Sequence, residues 1–247
     1  PNPERSPRRS AMAPPNRNHI VQLVYCGPLG SGKTTNLRRL AARLPDRFRS
    51  RLLVVDSPTD DCAWGSDQTA AQSSHFFDLL PIVLDGEGGR LKLRLIAVPG
   101  HFMYEPTRRL LLRSADGVVF VADSTLPVQE NQASFVELRS SLRENGRAPD
   151  SMPLVVQLNK TDGVAQTGLA AAQLLAHGRG DVAVIPACAE RGVGVVETLV
   201  HLLRLVWPTV LHERESLASL GLDLPMLLDL IRQRLQGRES GPEGALP

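Results

Sequence analysis

The chain is expected to fold as an α/β domain with a mostly parallel six-stranded sheet, one antiparallel edge hairpin and helices on both faces. Three observations predict this. Apolar strand-like runs alternate with helix-period segments over about 190 residues, the pattern of strands joined by helical crossovers. Gly27 to Thr35 reads GPLGSGKTT, a glycine, four residues, then Gly-Lys-Ser/Thr, and it stands between an apolar run and a helix. Asp85-Gly86-Glu87-Gly88-Gly89 joins two β-patterned arms as a hairpin turn.

Ile20 to Cys26 is the first strand, continuous in apolar residues and therefore buried. Leu37, Leu40, Ala41 and Leu44 then recur at helical spacing until Pro45 stops the helix. Leu52 to Asp56 is a short apolar run compatible with a strand, and Ser57 to Ser74 a long aperiodic loop near the ligand. Phe76 to Leu84 and Arg90 to Val98 are the hairpin arms. Pro81 puts the first at the sheet edge, where its missing N–H is tolerated. Pro99-Gly100-His101, a loop and a helix through Leu112 follow. Gly117 to Ala122 (GVVFVA) and Leu154 to Leu158 are strands covered on both faces. Phe135, Leu138 and Leu142 give the helix between them; a further helix spans Leu169 to His177. Val182 to Pro186 is the last strand and Val195 to Trp207 the last helix of the domain.

Three segments follow from this. Residues 1–17 hold five prolines, Arg5, Arg8, Arg9 and Arg17 against one acid, and cannot bury enough apolar surface to order. Residues 18–208 form the domain. Residues 209–247 form a C-terminal helical extension and tail, in which Leu224, Leu227, Leu228, Ile231 and Leu235 share one helix face. That face either packs back on the domain or offers an apolar stripe to a partner or a membrane surface.

Composition sets limits. The chain has 247 residues and is 42% apolar, enough for one full core, with only 4% aromatic. A net charge of +2 is too slight to indicate nucleic acid. Three cysteines without metal-like spacing fit a reducing cytoplasm, and no run of 18 apolar residues marks a transmembrane segment. From Leu52 to Gly89 there is no Lys or Arg, while seven acids lie in that span.

A strand, a glycine-rich turn and a helix N-terminus make a cup of backbone N–H groups aimed at an anion. Gly27, Gly30, Ser31, Gly32, Lys33, Thr34 and Thr35 are its candidate residues, with Lys33 reaching the outer phosphates and the Thr34 hydroxyl coordinating Mg2+. Asn159-Lys160-Thr161-Asp162 follows a strand at the end where open α/β sheets bind ligands. Asp162 can accept hydrogen bonds from guanine N1–H and its exocyclic amino group. Adenine offers no donor at either place, so an unpaired charge would reject it. Asn159 is expected at the O6/N7 edge. The Lys160 stem is expected to cover the base and brace the phosphate loop, and the Cys188-Ala189 backbone to meet guanine O6.

Taken in order, GPLGSGKTTNL, FFDLLP, VPG, DGVVFVADS, NKTD and the last small-residue loop resemble the Ras-like small GTPases. The set resembles more closely the bacterial MglA family of polarity and gliding-motility proteins, over roughly residues 19 to 207. The resemblance implies a P-loop NTPase small G domain and a GTP/GDP switch dependent on Mg2+, with Gly100 among the nucleotide contacts. It also implies a roadblock-domain regulator of the MglB kind, protein effectors, and a bacterial cytoplasmic location that is polar or clustered.

Three positions depart from that family. Its Thr-Val-Pro-Gly begins here with Ala97, so the metal is left to Thr34 and to Ser74 or Asp78. Its glutamine is replaced by His101, the candidate catalytic residue, which translational GTPases also carry after Pro-Gly. Its Arg-Thr pair before FFDLLP becomes Ser73 and Ser74, and loss of such an arginine lowers the rate by about 10³ to 10⁵. Arg108, Arg109 or a partner's arginine are the substitutes. Two functions therefore stand side by side: a slow, partner-controlled GTP hydrolase, and a nucleotide-locked scaffold or pseudo-GTPase.

Overall fold

A computed structural model of the chain describes residues 17–45, 53–54, 77–98, 105–163 and 182–236. Ser73, Ser74, Gly100, His101, the Leu169–His177 helix, almost all of the basic tail and the residues from Gly237 onward lie outside the described residues.

Strand β1 (Arg17–Cys26) leads through the glycine-rich turn into α1 (Lys33–Arg43). Then come β2 (Leu53–Val54), the hairpin β3 (Asp78–Gly86) and β4 (Gly89–Ala97), and α2 (Glu105–Arg113). The second half runs β5 (Gly117–Asp123), α3 (Val128–Glu144), β6 (Leu154–Asn159), β7 (Val184–Pro186), α4 (Val195–Glu213) and α5 (Leu224–Gln236). The sheet order is β2-β3-β4-β1-β5-β6-β7. β4, β1, β5, β6 and β7 are parallel, and β3 is antiparallel to both β4 and β2. Six expected strands and the antiparallel hairpin are present, and the Leu52–Asp56 run supplies a seventh, the two-residue β2, which lies outside the hairpin and makes β3 second from the edge, not outermost as Pro81 suggested. Because β2 pairs only with Asp78 and Leu79, Pro81 lies past its reach, where its lack of an N–H breaks no ladder.

The pleat sends alternate side chains to two cores. Val21, Leu23 and Tyr25 of β1 join Leu37, Leu40, Leu199 and Leu203 on the α1/α4 face. Val24 and Cys26 join Leu111, Phe135, Leu138 and Leu142 on the α2/α3 face. All seven residues of β5 are buried, as a central strand covered on both faces requires.

The C-terminal part departs from the expected boundary. Helix α4 does not stop near Trp207 but runs through Pro208 to Glu213. Proline removes one N–H and leaves the Arg204 carbonyl unpaired, yet both residues are exposed, so water can satisfy that carbonyl. By length and composition α4 could cross a membrane, but Leu199, Leu202, Leu203, Val206 and Trp207 are fully buried in the domain core. A 3₁₀ segment (Glu215–Leu220) then lies on the hairpin, with the Glu87 N–H donating to the Leu220 carbonyl at 3.0 Å. Helix α5 turns Leu227, Leu228, Ile231 and Leu235 into the same core as β1 and α1. Of the two destinations open to that apolar face, packing on the domain is the one observed.

Arg214 fastens this segment to β1. Its guanidinium donates to Asp116 Oδ1 at 2.5 Å and to the Ile20 carbonyl at 2.7 Å, while the Gln22 N–H donates to Asp116 Oδ2 at 2.7 Å. Burial raises the Asp116 carboxyl above its usual range, against the opposing pull of Gln22 and Arg214. Arg214→Ala is expected to cost about 2 kcal/mol, below the usual figure for a broken buried pair because Arg214 is half exposed and Asp116 keeps one donor. The group's folded pKa is raised, so proton uptake favours the folded state. The deficit in a thermal melt should therefore shrink as pH falls toward the acid range and be full at neutral pH.

Candidate functional site

The C-terminal ends of the parallel strands β1, β4, β5, β6 and β7 meet along one edge of the sheet, where α/β folds take ligands. The loop after β1 is shaped by backbone that only glycine fills. Gly27 has φ 142° and Gly32 φ 98°. A Cβ on Gly27 would stand 2.2 Å from the Val121 carbonyl oxygen, and one on Gly32 would stand 2.2 Å from Asn159 Nδ2. The loop is thus pressed against β5 and against the NKTD segment. Ser31 is fully buried within it, and Thr35 lies in the first turn of α1.

Lys33 is buried and folds back over the loop, its Nζ donating to the carbonyls of Pro28 at 2.6 Å and Gly27 at 3.0 Å. Burial first, then the charges of Arg108 and Lys160, against an opposing effect of Cys26, bring its pKa down to about 8. An ammonium stripped of water and held only by neutral groups, the two carbonyls and the Ser31 hydroxyl at 3.4 Å, is poised for an anion.

The Thr34 hydroxyl donates a short hydrogen bond to Asp78 Oδ2. Asp78 opens β3 and stands in register with Ala97 on β4. A carboxylate therefore occupies the strand next to the one whose end carries the methyl group of Ala97. Thr34 and Asp78 provide adjacent hard oxygen donors of the kind magnesium takes. Among the described residues no cluster of three or more His, Cys, Asp or Glu could hold a metal without help.

Asn159 plays a different part from the one expected. Its Nδ2 donates to the Ser31 carbonyl at 2.8 Å, and its Oδ1 accepts from the Ala189 N–H at 2.8 Å. Asn159, rather than Lys160, braces the phosphate loop. Lys160, held at φ 64°, instead sends its Nζ to Asp123 Oδ2 at 2.5 Å. Burial by itself would raise the Asp123 carboxyl, but hydrogen bonds from Lys160 and Thr125 outweigh it and hold the group below the usual range. The Cys188 and Ala189 N–H groups, expected to face the base, are engaged within the protein, by Val193 O at 3.1 Å and by Asn159. A bridge between Cys188 and Val193 closes the loop after β7 and draws these donors inward. Asp162 is exposed, and the Cys188 thiol donates to its carboxylate, which keeps it below the ordinary range and ionised at neutral pH.

Two residues of the site's frame were not among the candidates read from the sequence. Asn36 on α1 donates to the Gly32 carbonyl at 3.0 Å and exchanges two hydrogen bonds with Gln157 of β6, at 2.8 and 2.9 Å. Gln157 also donates to Thr198 of α4 at 2.9 Å. This fully buried chain locks the helix after the phosphate loop to the strand before NKTD. A polar residue inside the apolar run Leu154 to Leu158 was the one sequence signal available for it.

No family model matches the chain. A segment of 111 residues, 42% of this chain and 57% of the relative, is 32% identical to shikimate kinase of Stenotrophomonas maltophilia (strain K279a). A longer match is 34% identical over 194 residues, covering 77% of this chain and 92% of the relative, the mutual gliding-motility protein MglA of Myxococcus xanthus (strain DK1622). With a phosphate loop pressed on an NKTD segment inside a small G domain, and identity of that order across almost the whole relative, the chain belongs to the MglA family.

Proposed function

We propose that the protein is a guanine-nucleotide switch that binds GTP and GDP with Mg2+, hydrolyses GTP slowly and is controlled by partner proteins. The observation that carries this reading is the 2.8 Å bond from Asn159 to the Ser31 carbonyl, which joins the base-reading motif to the phosphate loop. One ligand touching both must present phosphates to Lys33 and a base to Asp162 at once. A partial likeness to a protein named as a kinase agrees with phosphate handling, and the MglA relative is named for gliding motility. Cell polarity or motility is accordingly the process proposed, in the bacterial cytoplasm. A roadblock-domain regulator and protein effectors are the proposed partners.

Thr34 and Asp78 would hold Mg2+ together with the phosphates, Ser74 being the third candidate, and the ion would supply charge neutralisation there. Asp78→Ala should therefore weaken the effect of magnesium. Nucleotide release measured with and without a chelator should differ about tenfold less in the variant than in the unaltered protein. An unchanged magnesium effect would remove Asp78 from the site.

The second reading, a nucleotide-locked scaffold, is favoured by Ala97, whose buried side chain has no oxygen to offer a metal-bound water. The nucleotide content of the purified protein and its single-turnover rate, with and without a roadblock-domain partner, separate the two. Co-purified guanine nucleotide with phosphate release supports the switch. Bound nucleotide that never turns over leaves the scaffold, and the absence of any guanine nucleotide binding overturns both.

A further inference from the structure

Asn36 on α1, Gln157 on β6 and Thr198 on α4 are fully buried, and together they form a polar chain through the core. Every side-chain N–H and O–H donor in it is used. The Asn36 amide donates to the Gly32 carbonyl at 3.0 Å and to Gln157 Oε1 at 2.8 Å. The Gln157 amide donates to Asn36 Oδ1 and to Thr198 Oγ1, both at 2.9 Å. The Thr198 hydroxyl ends the chain on the Gly194 carbonyl, at 2.6 Å. Gly194 caps α4 at φ 73°, and a Cβ there would stand 2.4 Å from the Pro186 carbonyl oxygen and 2.7 Å from the Ala187 Cβ. The Ala187 carbonyl in turn accepts the Thr161 N–H at 3.1 Å and the Thr161 hydroxyl at 3.0 Å, inside NKTD. The chain therefore runs from the phosphate loop to the loops expected to read the base.

Asn159 joins the same two places by a separate route, tying the Ser31 carbonyl to the Ala189 N–H, both at 2.8 Å. Gln157 and Asn159 are two residues apart on β6, so their side chains leave the same face of the sheet. One tie fixes a separation but leaves the loop free to turn about it. Two ties, reaching the neighbouring carbonyls of Ser31 and Gly32, fix its angle as well. Apolar side chains would fill the same volume but impose no direction, whereas a fully satisfied buried network does. We infer that Asn36, Gln157 and Thr198 are positioning residues for the nucleotide, holding the phosphate cup at the span and angle from the base-reading loops at which one ligand reaches both. This role rests on the guanine-nucleotide reading and supplies what makes the two halves of that site act as one. All three side chains are fully buried, so their effect on a ligand passes through the loops they hold.

The test compares the full-length protein with three variants. Thr198→Val keeps the shape and loses the hydroxyl, Thr198→Ser keeps the hydroxyl, and Asn36→Leu combined with Gln157→Met replaces the amide pair by apolar groups of similar size. Each is measured with Mg2+, well below its own melting temperature, for GTP dissociation and for the ratio of GTP to ATP affinity. In Thr198→Val and in the apolar pair, GTP release should be about tenfold faster and the ratio about tenfold lower, the scale of one lost hydrogen bond. Thr198→Ser should stay within about threefold of the unaltered protein in both measurements. A lowered melting temperature with release and ratio unchanged overturns the inference, since a merely structural network moves stability alone. So does a Thr198→Ser as impaired as Thr198→Val, because the hydroxyl would then not be the cause. If neither Thr198→Val nor the apolar pair folds, the network is a folding element and the positioning role falls. An unaltered protein that binds no guanine nucleotide, or does not prefer it to ATP, overturns the guanine-nucleotide reading and this role with it. Unchanged variants of a guanine-selective protein overturn this role alone.

Discussion

A chain ending at Pro208 is expected not to fold, although the motifs that handle the ligand all precede that point. The removed segment carries Val210, Leu217, Leu220, Leu222, Leu227, Leu228, Ile231 and Leu235, each no more than 6% exposed. Eight such side chains, at about 1.5 to 3 kcal/mol each, give an upper figure of about 12 to 24 kcal/mol. A domain has about 5 to 15 kcal/mol of net stability, so the loss exceeds what the rest can sustain. The cut also leaves Asp116 buried without Arg214 and the Glu87 N–H without the Leu220 carbonyl. Circular dichroism of the truncated chain should show no cooperative melt. A transition close to that of the full chain would mean that the C-terminal helix is an accessory element.

Asp162→Asn is expected to abolish the preference for GTP over ATP. A carboxylate presents two acceptors to the two adjacent donors of guanine. An amide presents one acceptor and one donor, and the donor opposes a guanine N–H. Sites that read a substrate by such hydrogen bonds discriminate by about 10⁴ to 10⁵ against a ligand that leaves them unpaired, and most of that ratio should disappear. The change should lie in affinity and not in stability, because Asp162 is exposed and its hydrogen-bond donor is the Cys188 thiol. Competition of GTP and ATP against a fluorescent guanine nucleotide measures it. A variant that keeps the full GTP preference would show that base reading resides elsewhere.

The strand-loop-helix around GPLGSGKTT was legible because its signals are local: glycines where φ is positive and an apolar period on either side. The hairpin was legible for the same reason, since Leu91, Leu93 and Leu95 alternate with Lys92 and Arg94 within one strand. The end of α4 was misread because a proline on an exposed helix face costs a carbonyl that water can satisfy. Exposure on that face depends on what packs against the other.

The sequence by itself determined the α/β class, the six principal strands, the phosphate cup, and Asp162 as the acidic residue after a strand. It also showed which residue types are absent, Thr at 97 and Arg at 73. Only the tertiary structure decided which residues meet. Thr34 and Asp78 are 44 positions apart, and Asn36 and Gln157 are 121 apart, and nothing in the chain between them encodes that distance locally. It likewise transferred the bracing of the loop from Lys160 to Asn159, because the buried Asp123 carboxylate captures the lysine and leaves the amide facing Ser31. Side-chain type sets what a residue can do, and packing sets which partner it finds first.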